Sequence, residues 1–168
     1  MKEKTLKHAT LCFLFKDGYT TLAIKTRHIG EGCRNGYGGG IKDGETPEDA
    51  VLRELSEESR VTAKLKDLQK VAIADCHNTK EDGTIFVCRV HIFLVLHWAG
   101  DPEETEEMIR PERFHKDDLP LGEMMLADRE WIREILNGKK LLITARYGPF
   151  QKTLLGPVEI REVDSFDE

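Results

Sequence analysis

The sequence predicts an α/β fold in which mixed β-strands are packed between two helices. Three observations lead to this prediction. Lys16-Asp17-Gly18 separates two runs rich in apolar and β-branched residues, and residues 46–59 carry a helix start signal followed by helix formers. A second segment, residues 128–137, has apolar residues at helical spacing. Mixed strands with helices on their faces form an α/β sandwich.

The strands are predicted from composition and from turn residues. Strands over 9–16 and 20–26 form a hairpin, and 27–37 is a glycine-rich loop. A strand around 71–73 follows a short strand and turn, and residues 84–98 form a long central strand because they are apolar and β-branched. The other predicted segments are a polar turn at 78–83, an acidic loop at 102–107, a short strand and turn at 113–118, and a final hairpin of 141–147 with 153–163 around Gly148-Pro149.

The first helix has several start signals. Thr46 is a suitable N-cap and Pro47 suits the first helical position, and acidic residues then favour the positive end of the helix. Val51 and Leu55 are four residues apart, so we expect them to anchor the helix to the core. Gly138 is the predicted stop of the second helix.

Three carboxylates lie on one face of the first helix. Glu54, Glu57 and Glu58 are at positions i, i+3 and i+4, and Arg53 lies four residues before Glu57. Like charges at this spacing repel one another unless a cation joins them. Clustered hard oxygen ligands suit Mg²⁺ or Mn²⁺ better than zinc. The glutamates alone leave two interpretations open, a metal site or a solvated acidic face.

Composition predicts one domain over residues 1–168 and excludes several classes of protein. The 168 residues are 39% hydrophobic and 33% charged, as in a soluble globular protein. The net charge of −6 argues against a nucleic-acid polymer as partner, because gripping one requires a basic surface. No apolar run reaches the ~20 residues that span a membrane, and no signal peptide is predicted. Scattered cysteines without a C-x-x-C pair indicate reduced thiols and a cytoplasmic location; they are Cys12, Cys33, Cys76 and Cys88.

The stretch from Gly39 to Val61 resembles the Nudix box. Gly39, five residues, Glu45, seven residues and then Arg53 to Val61 follow Gly-x5-Glu-x7-Arg-Glu-U-x-Glu-Glu-x-Gly-U, where U is a bulky aliphatic residue. The departure is Arg60, where the family has glycine at the helix end. The resemblance implies the Nudix fold, with mixed β-sheets sandwiched between helices. It also implies hydrolysis of nucleoside diphosphates linked to another group, with a divalent metal held by box glutamates.

Beyond the box, the chain is similar to the branch that hydrolyses oxidised purine nucleoside triphosphates such as 8-oxo-dGTP. The similarity lies in residues 25–39, in residues 107–111 with one insertion, and in the tail 156–163. It implies a small-molecule nucleotide substrate, Mg²⁺ or Mn²⁺ as cofactor, and a nucleoside monophosphate and pyrophosphate as products. We expect a monomer or homodimer.

This resemblance also implies roles for individual residues. The implied metal ligands are Gly38, Gly39, Glu54, Glu57, Glu58 and Glu107. Glu54 and Glu58 are the main ligands, and Glu57 is either a ligand or the proton acceptor. The implied catalytic residues are these three glutamates and Arg53, which orients Glu57 through a charge-assisted bond. Glu106 is the alternative to Glu107, and Glu45 supports the loop.

The implied substrate-binding residues are Thr10, Lys25, Asn35 and Asp128. Asn35 binds the purine or, alternatively, shapes the loop before Gly36. Thr10 and Lys25 lie in the pocket or on the strand surface. Asp128 reads the base or caps the second helix.

Four positions depart from the branch's base-binding pattern. Met125 replaces a tryptophan and Ala127 an aspartate, while Cys76 and Asn78 replace aromatic residues that face the base. We therefore expect a looser or different base pocket. One alternative function is hydrolysis of another modified nucleotide or a nucleotide sugar. A ligand sensor without turnover is disfavoured because all the box glutamates are present, and RNA decapping is disfavoured because the chain lacks a basic stripe.

Overall fold

The computed structural model describes residues 5–166, and within that range the chain forms eight strands and two helices. The strands are β1 (Thr5–Lys16), β2 (Tyr19–Lys25), β3 (Arg34–Asn35), β4 (Leu68–Thr79), β5 (Ile85–Val95), β6 (Met108–His115), β7 (Lys140–Tyr147) and β8 (Glu159–Val163). The helices are α1 (Pro47–Ser59) and α2 (Asp128–Leu136). None of the helices in this range is long and apolar enough to cross a membrane.

The strands form a mixed sheet in the order β3-β2-β1-β5-β4-β7-β8, and β6 also pairs with β2. The pairs β1–β5 and β4–β7 are parallel, and the other pairs are antiparallel. β1 joins the two halves of the sheet, since most of its length pairs with β5 while Phe15 and Lys16 pair with β2. The mixed sheet that the sequence predicts is confirmed.

Two apolar cores lie on opposite faces of β1, because successive side chains of a strand point to opposite sides. Phe13 packs in one core against α2, where its ring meets Trp131 edge-on with 6.2 Å between centroids. Leu14 lies in the other core with Val51 and Leu55 of α1, and all three are fully buried. The helices therefore sandwich the strands as predicted, and α1 is anchored through the two residues that its spacing indicates.

The ends of α1 follow the sequence signals. Thr46 is the N-cap: its hydroxyl accepts from the Asp49 backbone N–H at 3.0 Å, and the Asp49 carboxylate accepts from the Thr46 N–H at 3.4 Å. At the other end Arg60 adopts the left-handed conformation, with φ 66° and ψ 8°. This conformation explains why a glycine suits the position.

Several predicted strand limits need correction. β4 continues to Thr79, so the predicted polar turn at 78–83 starts too early: Asn78 pairs with Phe86 and Thr79 with Ile85. β6 begins at Met108 instead of 113, because its first residues pair with β2. The final hairpin is confirmed, but its second strand is limited to Glu159–Val163. These limits depend on pairing with distant strands, which local composition does not encode.

Candidate active site

Three carboxylates converge at the C-terminal half of α1. One oxygen from each of Glu54, Glu58 and Glu107 lies within 4.8 Å of the others. Glu54 and Glu58 are one turn apart on the helix, whereas Glu107 precedes β6. The acidic loop is held against the helix end by the Thr105 hydroxyl, which donates to the Glu58 carbonyl at 2.9 Å. We call Glu54, Glu58 and Glu107 the carboxylate cluster.

The electrostatics of the carboxylate cluster favour a bound cation. Glu58 is buried and accepts a hydrogen bond from the Gly38 N–H at 2.9 Å. Burial, and then the neighbouring carboxylates of Glu107 and Glu54, raise the pKa of Glu58 to about 8. The Arg27 guanidinium, 3.0 Å from Glu107, lowers the pKa of that carboxyl. Hard oxygen donors crowded at such short range fit a divalent cation, which would relieve their mutual repulsion.

Two glycines let the preceding loop approach its neighbours closely, Gly39 the helix α1 and Gly38 the strand β1. A Cβ atom on Gly39 would lie 2.6 Å from the Glu54 carboxyl carbon, and one on Gly38 would collide with the Thr10 carbonyl oxygen. The Gly39 carbonyl accepts from both the backbone N–H and the hydroxyl of Thr10, at 2.8 and 3.2 Å. Metal ligation by the Gly38 or Gly39 carbonyl stays a prediction.

Arg53 connects the loop to the helix. Its guanidinium donates to both carboxylate oxygens of Glu45, at 2.7 and 2.9 Å, and to Glu54 at 3.0 Å. The hydrogen bonds from Arg53 lower the pKa of Glu45 to about 2. The predicted bond to Glu57 is present but longer, at 3.3 Å. Arg53 therefore orients Glu45 and Glu54 more than Glu57.

Glu57 and Glu106 lie outside the carboxylate cluster. The Glu57 side chain is 55% exposed, and Glu106 is exposed on the acidic loop. Of the two acidic residues that compete at the end of this loop, Glu107 is the one whose carboxylate joins Glu54 and Glu58. The role of Glu57 as ligand or proton acceptor stays a prediction.

A cavity of about 220 Å³ adjoins the carboxylate cluster, and Glu58 is part of its wall. Its lining includes all four predicted substrate-binding residues, Thr10, Lys25, Asn35 and Asp128. Pockets that enclose a whole drug-sized ligand measure roughly 300–1,000 Å³. The smaller volume here suits the base of a nucleotide, with its phosphates outside along the glutamates. A larger cleft of about 520 Å³ lies near Tyr19 and Trp98, but none of the carboxylate cluster borders it.

Asp128 does not cap α2. Ala127 occupies the N-cap position in a helical conformation and no side chain caps the helix there, so the cap interpretation is wrong. The residue is half-buried on the cavity wall, and burial raises its pKa to about 7. The hydroxyl of Tyr147 instead accepts the Ala127 backbone N–H, at 3.0 Å. A carboxyl with this pKa is partly protonated near neutral pH and can then donate a hydrogen bond.

Asn35 and Thr10 serve the local structure as well as lining the cavity. The Asn35 side-chain oxygen accepts from the Gly36 N–H at 2.8 Å, which is the loop-shaping contact that the sequence left as an alternative. Thr10 is buried and bonded to Gly39. Contacts of Thr10, Lys25 and Asn35 with a base stay predictions.

The structure also shows cavity residues that sequence reasoning missed. Trp131 and Met108 reach the cavity from α2 and β6, and Tyr147 and Gln151 reach it from β7 and the loop after it. The helical spacing of Trp131 indicated burial but not the cavity. For Gln151 no local pattern gave a signal, because its position depends on the path of the loop between β7 and β8.

The comparisons with known proteins decide the family. Residues 5–135 match the model of the NUDIX domain. The chain belongs to the Nudix family. A Mus musculus protein named oxidized purine nucleoside triphosphate hydrolase is 37% identical over 158 residues, which cover 94% of this chain and 96% of that protein. A Danio rerio protein of the same name is 36% identical over 140 residues, covering 82% and 85%.

The solved structure of a MutT protein from Bacillus halodurans shares the fold, with a TM-score of 0.76 over 92% of this chain and 97% of that one, at 24% identity. The protein is thus a Nudix hydrolase, and the expected family and fold are confirmed. Residues 39–61 are its Nudix box. Two of the box glutamates, Glu54 and Glu58, belong to the carboxylate cluster.

Proposed function

We propose that this Nudix hydrolase converts 8-oxo-dGTP and related oxidised purine nucleoside triphosphates to the monophosphate and pyrophosphate. The observation that carries the proposal is the position of Asp128 and Asn35 in a base-sized cavity that shares Glu58 with the carboxylate cluster. The names of the mouse and zebrafish relatives support the same substrate class.

Mg²⁺ is the proposed metal, with Mn²⁺ as a substitute. Glu54, Glu58 and Glu107 would hold it, assisted by a carbonyl of Gly38 or Gly39. When bound, such an ion neutralises phosphate charge and lowers the pKa of a coordinated water. The crowded carboxylates and the raised pKa of Glu58 support a cation at this position.

The side chains around the carboxylate cluster supply orientation and proton transfer. Arg53 holds Glu54 in place and fixes the loop through Glu45. Glu57 is exposed next to the cluster, where it can accept a proton from the attacking water. The carboxyl of Asp128, in its protonated form, donates to the base, while the Asn35 amide offers a further contact.

The proposal extends to sanitation of the nucleotide pool, which is a contribution to DNA repair. The substrate is a free nucleotide and not a nucleic-acid polymer, in keeping with the net charge of −6. We place this activity in the cytoplasm, in a monomer or homodimer.

A second candidate is hydrolysis of another nucleoside diphosphate derivative, such as a different modified nucleotide or a nucleotide sugar. It is favoured by the cavity wall, where Ala127 and Cys76 stand in place of a carboxylate and an aromatic ring. A missing carboxylate removes one base contact and loosens the selection of the substrate.

A turnover panel with Mg²⁺ tests the proposal. It compares 8-oxo-dGTP, dGTP, other oxidised purine triphosphates, pyrimidine triphosphates and nucleotide sugars, with both products quantified. We expect the highest kcat/KM for an oxidised purine triphosphate, release of pyrophosphate, and loss of turnover when the metal is chelated. Turnover of nucleotide sugars without purine triphosphates would move the protein to the second candidate.

A further inference from the structure

Gln151 lies on the wall of the cavity and is held there by a buried residue of the sheet. The side-chain nitrogen of Gln151 donates to the side-chain oxygen of Asn78 at 2.7 Å. Asn78 is buried near the end of β4, two residues from Cys76, which also lines the cavity. The contact links the loop after β7 to a strand that is 73 residues away in sequence.

The direction of these hydrogen bonds is determined by the backbone. The Asn78 side-chain nitrogen donates to the Cys76 carbonyl at 3.1 Å. A carbonyl can only accept, so Asn78 must present its oxygen to Gln151, and Gln151 must present its nitrogen in return. This fixes the orientation of the Gln151 amide, with its own oxygen as an acceptor and a second N–H as a donor for other contacts.

The backbone of the loop keeps Gln151 in place at a cost in strain. Phe150 and Gln151 both have positive φ, at 58° and 57°, which side-chain-bearing residues rarely adopt. The Gln151 N–H donates to the Gly148 carbonyl at 3.1 Å, which closes the turn. An amide fixed from its backbone and from its side chain is preorganised to recognise a ligand.

We propose that Gln151 is a specificity-determining residue that contacts the base through its amide, and that Asn78 is its positioning residue. This inference rests on the proposed function. The base pocket has Ala127 where the branch has a carboxylate, so a polar contact from elsewhere on the wall takes over part of base selection. An amide suits the edge of a purine, which carries donors and acceptors side by side.

The test is a double-mutant cycle with Gln151→Ala, Asn78→Ala and both changes together. The readout is the ratio of kcat/KM for the best and the poorest purine triphosphate of the wild type. We expect each single variant to lower this ratio about three- to tenfold, the scale of one hydrogen bond, mainly through KM. The double variant should lose no more than Gln151→Ala alone, because Asn78 acts through Gln151.

Two controls separate base selection from folding. Lys152→Ala changes an exposed neighbour in the same loop and should leave the ratio unchanged. Thermal unfolding measures the loss of stability in Asn78→Ala. This loss of stability should also be present in the double variant. In contrast, Asn78→Ala should cause no further loss of selectivity once Gln151 has been replaced.

Each negative result points to a different error. An unchanged ratio in Gln151→Ala, or equal losses on every purine, would overturn the inference while the wild type still hydrolyses purine triphosphates. If the wild type hydrolyses none of them, the proposed function itself is wrong.

Discussion

The Arg53 guanidinium on α1 binds both carboxylate oxygens of Glu45, at 2.7 and 2.9 Å. The same guanidinium donates to the Gly40 carbonyl and to Glu54. One side chain therefore joins the glycine-rich loop, its acidic residue and a member of the carboxylate cluster. The two bonds to Glu45 fix the orientation of the Arg53 guanidinium. The guanidinium in turn holds the Glu54 side chain in one orientation.

Glu45→Gln should lower turnover about 10-fold or more, the scale of losing a residue that orients a metal ligand. The amide keeps the size of the side chain but cannot accept both Arg53 bonds as an anion does. The measurement is kcat with Mg²⁺ titrated to saturation, and Asp43→Asn, an exposed change in the same loop, is the control. Wild-type kcat in Glu45→Gln would show that the Arg53 contact does not support catalysis.

Glu58→Gln should reduce turnover by about 10²-fold or more, since it removes a main electrostatic contributor. Glu58 is buried, and its carboxylate is one of the three that converge in the carboxylate cluster, so the amide leaves the proposed cation with one negative ligand fewer. Steady-state kinetics across a Mg²⁺ series check this, with Glu48→Gln in the first turn of α1 as a matched loss of charge. If saturating Mg²⁺ restores normal turnover, Glu58 is not a main ligand.

Arg60→Gly should stabilise the protein by up to about 1 kcal/mol, because glycine adopts the left-handed conformation without a steric penalty. Turnover should stay nearly unchanged. Arg60→Ala is the matched control, since it removes the same side chain but keeps the strain. Denaturant unfolding measures the stability of both variants. A large loss of turnover in a folded Arg60→Gly variant would instead assign Arg60 a role in substrate contact.

The stability of the fold should respond to pH through Asp128. Burial raises its pKa in the folded state to about 7, above its ordinary value. The folded protein thus holds the Asp128 proton more tightly than the unfolded chain does. The contribution of this protonated carboxyl to the free energy of unfolding is fully present below the unfolded pKa of about 3.9 and is lost as pH rises through about 7. The neighbours Cys76 and Tyr147 have raised pKa values and stay neutral across this window.

Asp128→Asn should therefore become more stable relative to wild type as the pH rises from 5 to 8.5. Unfolding free energies at both ends of this range measure the effect, and Asp43→Asn, an exposed change, controls for general charge effects. A stability difference that does not vary with pH would mean that the Asp128 carboxyl is not protonated in the folded protein.

The sequence predicted the parts of the site that are local. The positions of Glu54 and Glu58 on one helix face and the Thr46 cap follow from spacing and from rules for helix starts. The helix end at Arg60 follows from the resemblance, since the Nudix box has glycine there, and the structure shows Arg60 in the left-handed conformation. The fold class followed equally from periodicity and turn residues.

The parts that the sequence did not predict depend on contacts between distant segments. Aspartate is a residue type favoured at N-caps, but the path of the chain places Ala127 at the N-cap position and the Asp128 carboxyl at the cavity. The Asn78–Gln151 contact required the full length of β4 and the loop after β7. Both depend on tertiary packing, which overrides local propensity.

The most direct test of the account is the ratio of kcat/KM for 8-oxo-dGTP to that for dGTP, in the wild type and in Asp128→Asn. With Ala127 in place of a second carboxylate, we expect the wild type to favour 8-oxo-dGTP while retaining measurable activity on dGTP. The variant should lose more on the oxidised base, and the ratio should fall about five- to a hundred-fold, the scale of one buried hydrogen bond. Equal losses on the two substrates would contradict a role for Asp128 in reading the base.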